Sequence, residues 1–491
     1  MLITTSNILI ILLSLPLLSI VLLLFIPTFN KFLLKITALT ASCLIFICSL
    51  LLWVWFDSST GLFQFVNKLY WIPFFNINLI LGIDGISLFF ILLTTLLTFL
   101  CILISWNSIT HNLKEYLVFF LLMEFFLIGV FTTLDLLLFY IFFESVLIPM
   151  FLIIGIWGSR ERKIRAAYFF FLYTLLGSVL MLLGILYIYY QTGTTDYEIL
   201  ISVNLTELEQ KFLWFTFFAS FATKVPMLPM HIWLPEAHVE APTSGSVILA
   251  GVLLKLGTYG ILRFLFPLFP EANFYFTPLV YSLAAVGIIY TSCTAIRQTD
   301  FKRIIAYTSV AHMNLVIIGL FSFNTIGLEG AILQSISHGF VASALFIIIG
   351  IVYERYHTRM VKYYGGLVHI MPLYSIIFLL FTMANIGLPG TGSFVGEFLI
   401  LTGSFTANTS ITIISATGMV LGGCYSLWLF NRIIYGNLKT QYILIFKDIN
   451  KREFLIFLPL ITGTLIMGIY PKIFLTPVHM SVNMLLELLY R

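Results

Sequence analysis

The chain has 491 residues, 60% of them hydrophobic and only 9% charged, where a soluble domain carries about 25% charged residues. A composition this apolar indicates a polytopic membrane protein and excludes a soluble enzyme core or a disordered chain. A formal charge of +4, spread over loops without a basic patch, excludes nucleic-acid binding.

Apolar runs near the ~20 residues that a bilayer requires fall in order at 6–26, 32–56, 84–105, 116–133, 135–157, 166–190, 212–230, 245–264, 277–296, 302–322, 328–353, 371–401, 411–435 and 454–476. They predict an all-α polytopic fold of fourteen transmembrane helices. Residues 1–26 have neither the basic start and cleavage site of a signal peptide nor the Arg/Ser-rich pattern of a transit peptide. They read as the first span, of a chain made beside its membrane in a bacterium or from an organelle genome. Cys43, Cys48, Cys101, Cys293 and Cys424 lie singly in or beside apolar runs, without a CxxC, and read as packing residues.

Lysine and arginine test this division. Eighteen of the 25 lie in loops that follow odd-numbered helices, including Arg160, Arg162, Lys163 and Arg165 in one loop and Arg355, Arg359 and Lys362 in another. Five lie in even-numbered loops and the termini, and Lys224 and Lys255 lie within helices. The bias puts the odd loops on the cytoplasmic or matrix side and both termini opposite. We call these two surfaces the odd face and the even face.

Ionisable residues inside the spans gather in the middle of the chain: Glu124 in the fourth helix, Asp135 and Glu144 in the fifth, Lys224 in the seventh, Lys255 in the eighth, His312 in the tenth, His338 in the eleventh and Glu397 in the twelfth. A charge near the bilayer centre costs at least ~2.5 to 3.5 kcal/mol, so each marks a functional position. The first, second, thirteenth and fourteenth helices have apolar middles and read as outer walls.

Two spans are interrupted. Pro226 and Pro229 lack amide hydrogens and clash with the carbonyls of Ala222 and Val225, which breaks the helix beside Lys224. Asn385-Ile-Gly-Leu-Pro-Gly-Thr-Gly392 breaks the twelfth run before Glu397. Irregular backbone at this depth survives only against protein or a water-filled cavity. The breaks occupy corresponding places if residues 111–264 (helices four to eight) and 265–440 (helices nine to thirteen) are inverted repeats, flanked by 1–110 (helices one to three) and 441–491 (helix fourteen and tail). Paired discontinuous helices in inverted halves point to a transport site.

Within that frame Glu144 and Lys224 can neutralise each other; a static packing pair is the plain alternative, but it would not need a broken helix beside it. Lys255 has no acidic residue on its own helix, and burial disfavours its charge, so it can release and take up a proton. His312 and His338, with an ordinary imidazole near neutrality, can continue a relay ending at Glu397. A lone core histidine is more often only hydrogen-bonded, and the row of ionisable groups is what favours the relay. His231, Glu236, His238 and Glu240 match no zinc template and read as a polar access route to the Lys224 cavity rather than a metal site. Asp84 reads as a helix cap. Glu124 and Asp135 fit proton input and pairing with neighbours equally. Gly390-Thr-Gly392 lies within a span with no βαβ unit and is not a dinucleotide loop.

At ATKVPMLPMHIWLPEAHVEAPTSGSVILAGVLLKLGTYG, FKRIIAYTSVAHMN and GLPGTGSFVGEF the sequence resembles the antiporter-like membrane subunits of proton-pumping NADH:ubiquinone oxidoreductase, respiratory complex I, a superfamily that includes Mrp-type sodium/proton antiporters. The likeness covers nearly the whole chain. It implies that Lys224, on the broken seventh helix, pairs with Glu144, and that Lys255, His312 and His338 are the eighth-helix lysine and central histidines of the family. Where subunits 2 and 5 would present a twelfth-helix lysine, Glu397 points to one other member. The tail after about residue 476 is also too short for the lateral helix of subunit 5.

The resemblance further implies that NADH, FMN, iron–sulfur clusters and ubiquinone are handled by other subunits, with no cofactor or metal in this chain. Its partners would be other membrane-arm subunits, including antiporter-like subunits 2 and 5, and membrane lipids. Its location would be the mitochondrial inner membrane, with both termini on the intermembrane-space side. On this reading Glu144 moves away from Lys224, which passes a proton to Lys255 and on through His312 and His338 to Glu397. A sodium/proton antiporter subunit of an Mrp-type complex, and a purely structural membrane-arm subunit, are the alternatives.

Overall fold

The computed structural model describes residues 7–443 and 447–490. In chain order its main elements are α1 (Ile8–Phe25), α2 (Lys31–Trp55), β1 (Gln64–Ile72), β2 (Ile77–Ile83), α3 (Gly85–Ser108), α4 (Leu113–Thr132), α5 (Leu136–Trp157), α6 (Lys163–Thr192), α7 (Glu207–Lys224), α8 (Trp233–Glu240), α9 (Thr243–Leu268), α10 (Pro270–Arg297), α11 (Phe301–Leu320), α12 (Thr325–Tyr356), α13 (Pro372–Ile386), α14 (Gly392–Ala407), α15 (Thr409–Ile434), α16 (Lys451–Ile469) and α17 (Lys472–Leu489). Among the described residues twelve helices, all of these except α7, α8, α13, α14 and α17, are long and apolar enough to cross a membrane. Of these exceptions, α7, α13 and α14 fall in predicted spans, whereas α8 forms in the linker between the runs at 212–230 and 245–264; α7 and α8 flank the Pro226/Pro229 turn, and α13 and α14 flank Gly387–Thr391.

The helices sort by burial. α9 and α12 are buried throughout an 18-residue stretch, with α3 and α11 nearly so, while α1, α2, α15 and α16 are largely exposed. These four are the predicted walls, and α6 joins them. Close crossings hold the centre together, as expected where helices cannot rely on expelling water and pack through small residues. A Cβ at Gly339 of α12 would lie 3.1 Å from the Gly251 carbonyl oxygen of α9. One at Gly403 of α14 would come within 2.5 Å of Gly327 of α12.

Several boundaries differ from the sequence reading. The run at 454–476 ends at Ile469, and Pro471 starts a separate helix, α17. α17 is anchored where Ser481 Oγ accepts the Gly85 amide at 3.0 Å. Asp135 lies just outside α5 as its N-cap. α5 is itself discontinuous at Val146, because Pro149 withholds the amide that would bond the Ser145 carbonyl. On the even side, β1 and β2 form an antiparallel hairpin, with Asn76 in the left-handed region (φ 51°) at its turn. Leu134 N–H donates to Ile80 O at 2.9 Å and ties the hairpin to the start of α5. Of the five cysteines, Cys101 alone is buried, and Cys293 and Cys424 are exposed, so the packing reading fails for those two.

Candidate functional site

Lys255 lies between two π-helical turns of α9, Leu249–Leu253 and Ile261–Leu265. Such turns displace backbone groups from the regular ladder and recur at functional sites. Its ammonium, fully buried, donates to Ala250 O at 2.5 Å in its own helix and contacts His338 Nδ1 at 2.8 Å on α12. The Gly251–Gly339 crossing allows this contact by bringing the two backbones together beside the pair. The His338 and His312 rings are neighbours, with centroids 5.7 Å apart. His312 Nδ1 contacts Glu397 Oε1 at 3.1 Å, and the same oxygen accepts the Gln334 amide at 3.1 Å. Gly387, with φ +85°, gives the other Glu397 oxygen its room, since a Cβ there would stand 2.7 Å from Oε2. The row therefore runs Lys255, His338, His312, Glu397. The expected order of the two histidines is reversed, because helix crossing depth rather than chain order sets which ring meets the lysine.

The Lys224 end is built differently. Lys224 closes α7, and the carbonyls freed by the prolines are taken up locally: Met227 N–H donates to Ala222 O at 2.9 Å and Trp233 Nε1 to Thr223 O at 2.9 Å. The ammonium is buried over the Phe143 ring at 4.5 Å and has no hydrogen-bond partner among the described residues. Glu144 lies within its Coulombic reach but makes no ion pair with it within 4.0 Å. Ser178, beside Glu144, donates to Leu175 O instead at 2.9 Å, and both carboxylate oxygens are left without a partner among the described residues. The expected pair is thus near but not in contact.

The outer ends of the broken helices carry charges that sequence reading missed. The C-terminal carbonyls of α8 are capped by Lys302, which donates to Ala241 O at 2.6 Å, and by Arg359, which donates to Val239 O and to Ser159 Oγ. The N-terminal amides of α13 are capped by Asp448, which accepts from Leu373 and Tyr374 at 2.9 and 3.2 Å. A cation at a C-terminus and an anion at an N-terminus each suit the helix dipole. Lys302 and Arg359 sit in loop-edge positions that give no sign of burial, yet both are buried.

The linker residues diverge. Glu236 pairs with Arg303 at 2.5 Å, and His231 stands beside the Tyr290 and Tyr307 rings. His238 stacks on Phe346 at 4.5 Å, within Coulombic range of Lys255, Lys302 and His338. It thus lies beside the Lys255 row. No group of three His, Cys, Asp or Glu side chains converges among the described residues.

Asp84 is the expected cap, in a reciprocal capping box with Ser87. It also holds the buried Arg263 at 2.6 Å, a partner that the sequence could not single out. Asp135 caps α5 through Leu137 and Leu138 at 3.0 Å and accepts from Thr195 at 2.6 Å, away from the row. Glu124 accepts from Thr98 at 2.7 Å across α3 and α4.

The chain has known relatives over almost its whole length. Residues 133–423 match the family model "NADH:quinone oxidoreductase/Mrp antiporter, TM". NADH-ubiquinone oxidoreductase chain 4 of Arabidopsis thaliana is 59% identical over 472 residues, covering 96% of this chain and 95% of the relative. Among solved structures, a chain of respiratory complex I from Thermus thermophilus superposes with a TM-score of 0.89 at 29% identity, covering 98% of this chain and 99% of that one. A chain of the Mrp complex from Dietzia sp. gives a TM-score of 0.87 at 19% identity, covering 99% and 98%, which speaks to fold alone.

Proposed function

The chain belongs to the NADH-ubiquinone oxidoreductase chain 4 family, within the NADH:quinone oxidoreductase/Mrp antiporter group, and from that premise we propose that it moves protons along the row Lys255, His338, His312, Glu397, with Lys224 and Glu144 as the switch. It is a membrane-arm subunit of an oxidoreductase complex. The observation that carries the reading is the continuity of the row: contacts of 2.8 and 3.1 Å at its ends and neighbouring histidine rings, centroids 5.7 Å apart, between them. A row of groups that can each bind and release a proton, buried in a membrane, has no structural use that apolar packing would not serve better.

In the proposed cycle, electron transfer in other subunits displaces Glu144 relative to Lys224. Loss of the neighbouring negative charge disfavours the ammonium, and its proton passes toward Lys255. The row then carries it through His338 and His312 to Glu397. Two arrangements of the same groups are needed for net pumping, and the unbonded Lys224–Glu144 pair supplies the element that can change. We place the chain in the mitochondrial inner membrane beside antiporter-like subunits 2 and 5, with the broken helices completing fourteen spans in two inverted repeats and both termini in the intermembrane space. NADH, FMN, iron–sulfur and ubiquinone chemistry belongs to other subunits.

The test is NADH-driven proton uptake by the purified complex in liposomes, measured against electron transfer. Lys224→Ala and Lys255→Ala should each lower pumping in an assembled complex. Unchanged assembly together with an unchanged proton-to-electron ratio in both would leave the chain a structural linker. Sodium transport without any redox requirement would favour the Mrp-type reading.

A further inference from the structure

Two small cavities meet at Asn385 and Tyr425. The first, of about 20 Å³, also touches His312 and Glu397. The second, of about 10 Å³, is bounded by Thr308, Thr382 and Ser426 as well. A water needs roughly 10–15 Å³ and two to four polar partners, so each space suits about one water molecule.

The walls contain unused polar groups. His312 Nε2 is buried without a partner, and the side chains of Asn385 and Tyr425 make no hydrogen bond among the described residues. Thr308 and Thr382 donate their hydroxyl protons to Ile305 O and Leu379 O at 2.8 Å each, which leaves their oxygens free to accept. Buried polar groups are almost always satisfied by protein or ordered water, and here protein does not satisfy them.

The cavities lead from the centre toward the odd face. Glu397 borders the first; Thr308, in the second, lies about 10 Å along α11 from its odd-face end at Phe301. Beyond it the way is closed by Phe378, which is fully buried and packed against the Phe301 and Phe430 rings at 5.7 and 5.3 Å.

We infer that Glu397 has a second proton connection, a two-water wire past Asn385 and Tyr425 that leads toward the odd face and is shut by the Phe378 ring. Each transfer breaks one O–H bond at the donor water and forms one at the acceptor. The Glu397 carboxylate is the last acceptor, so atoms and charge balance without a redox partner. The branch gives Glu397 a source of protons other than Lys255, and it rests on the relay reading of Glu397.

Cryo-electron microscopy of the intact complex, at a resolution that shows ordered water, should place one water in each cavity; two dry cavities would overturn the inference. Asn385→Leu, which fills both spaces with hydrocarbon, should lower NADH-driven pumping at least about threefold, whereas Asn385→Ser should restore most of it. Tyr425→Phe, which removes one oxygen without changing shape, covers the case in which Asn385→Leu fails to assemble, and it should lower pumping in the same direction. Wild-type pumping in Tyr425→Phe and Asn385→Leu, with Glu397→Gln impaired, would sink the branch and leave the main row standing. Wild-type pumping in Glu397→Gln would remove both.

Discussion

The two ends of the ionisable row are built on opposite plans. Around Lys255 and Glu397 each member of the row touches a polar neighbour, at 2.5 to 3.1 Å. Around Lys224 and Glu144 nothing does: an ammonium faces an aromatic ring and a carboxylate has both oxygens unbonded among the described residues. Rearranging the first region means giving up hydrogen bonds in a low-dielectric interior, where unsatisfied groups are most penalised. Rearranging the second changes only a charge separation, and Coulomb energy falls smoothly with distance. On the proposed reading, the bonded region conducts and the unbonded one switches.

The contrast can be broken at its scaffold first. Gly339→Val puts a branched side chain against the Gly251 carbonyl and Leu93, which a Cβ would already approach to 3.1 and 2.6 Å; α9 and α12 must separate, and native gels should show loss of the assembled complex. Next in size, Lys255→Met should cut coupled turnover by at least about tenfold. It should also destabilise the subunit by about 1–3 kcal/mol, because His338 Nδ1 loses its partner. A Lys255→Met complex that melts like wild type would contradict the bonded description of that end.

Lys224→Met should reduce turnover several-fold yet leave thermal stability unchanged or raised, since it removes a buried ammonium that has no hydrogen bond to lose. A fall in melting temperature equal to that of Lys255→Met would erase the distinction between the two ends. The smallest effect is in double-mutant cycles on thermal stability. Lys255 with His338 should show a coupling of about 1–2 kcal/mol, and Lys224 with Glu144 less than about 0.5 kcal/mol.

Both helix breaks were legible in the sequence because proline and glycine act on their own turn. The members of the row were legible because ionisable groups are rare at membrane depth. Glu397 singled out one member of the family, and the chain 4 relatives bear that out. The order of the histidines was not legible, since it depends on where α9 and α12 cross. Nor was Arg263, which counts as an ordinary loop cation until Asp84, 179 residues away in sequence, is seen against it. The hairpin at 64–83 gives no membrane-length signal, and α17 is hidden by an apolar run that continues through Pro471.

The Pro226/Pro229 interruption also changes what surrounds Lys224 electrically. A continuous helix would present the lysine with a neutral, fully bonded midsection. The break ends α7 at Lys224 itself, and the end of a helix carries roughly half a negative elementary charge in its last turn. Peptide dipoles frozen into the backbone thereby replace part of the hydration that the ammonium forfeits at the bilayer centre. The helix end favours this ion through its dipole alone, without a hydrogen bond to it.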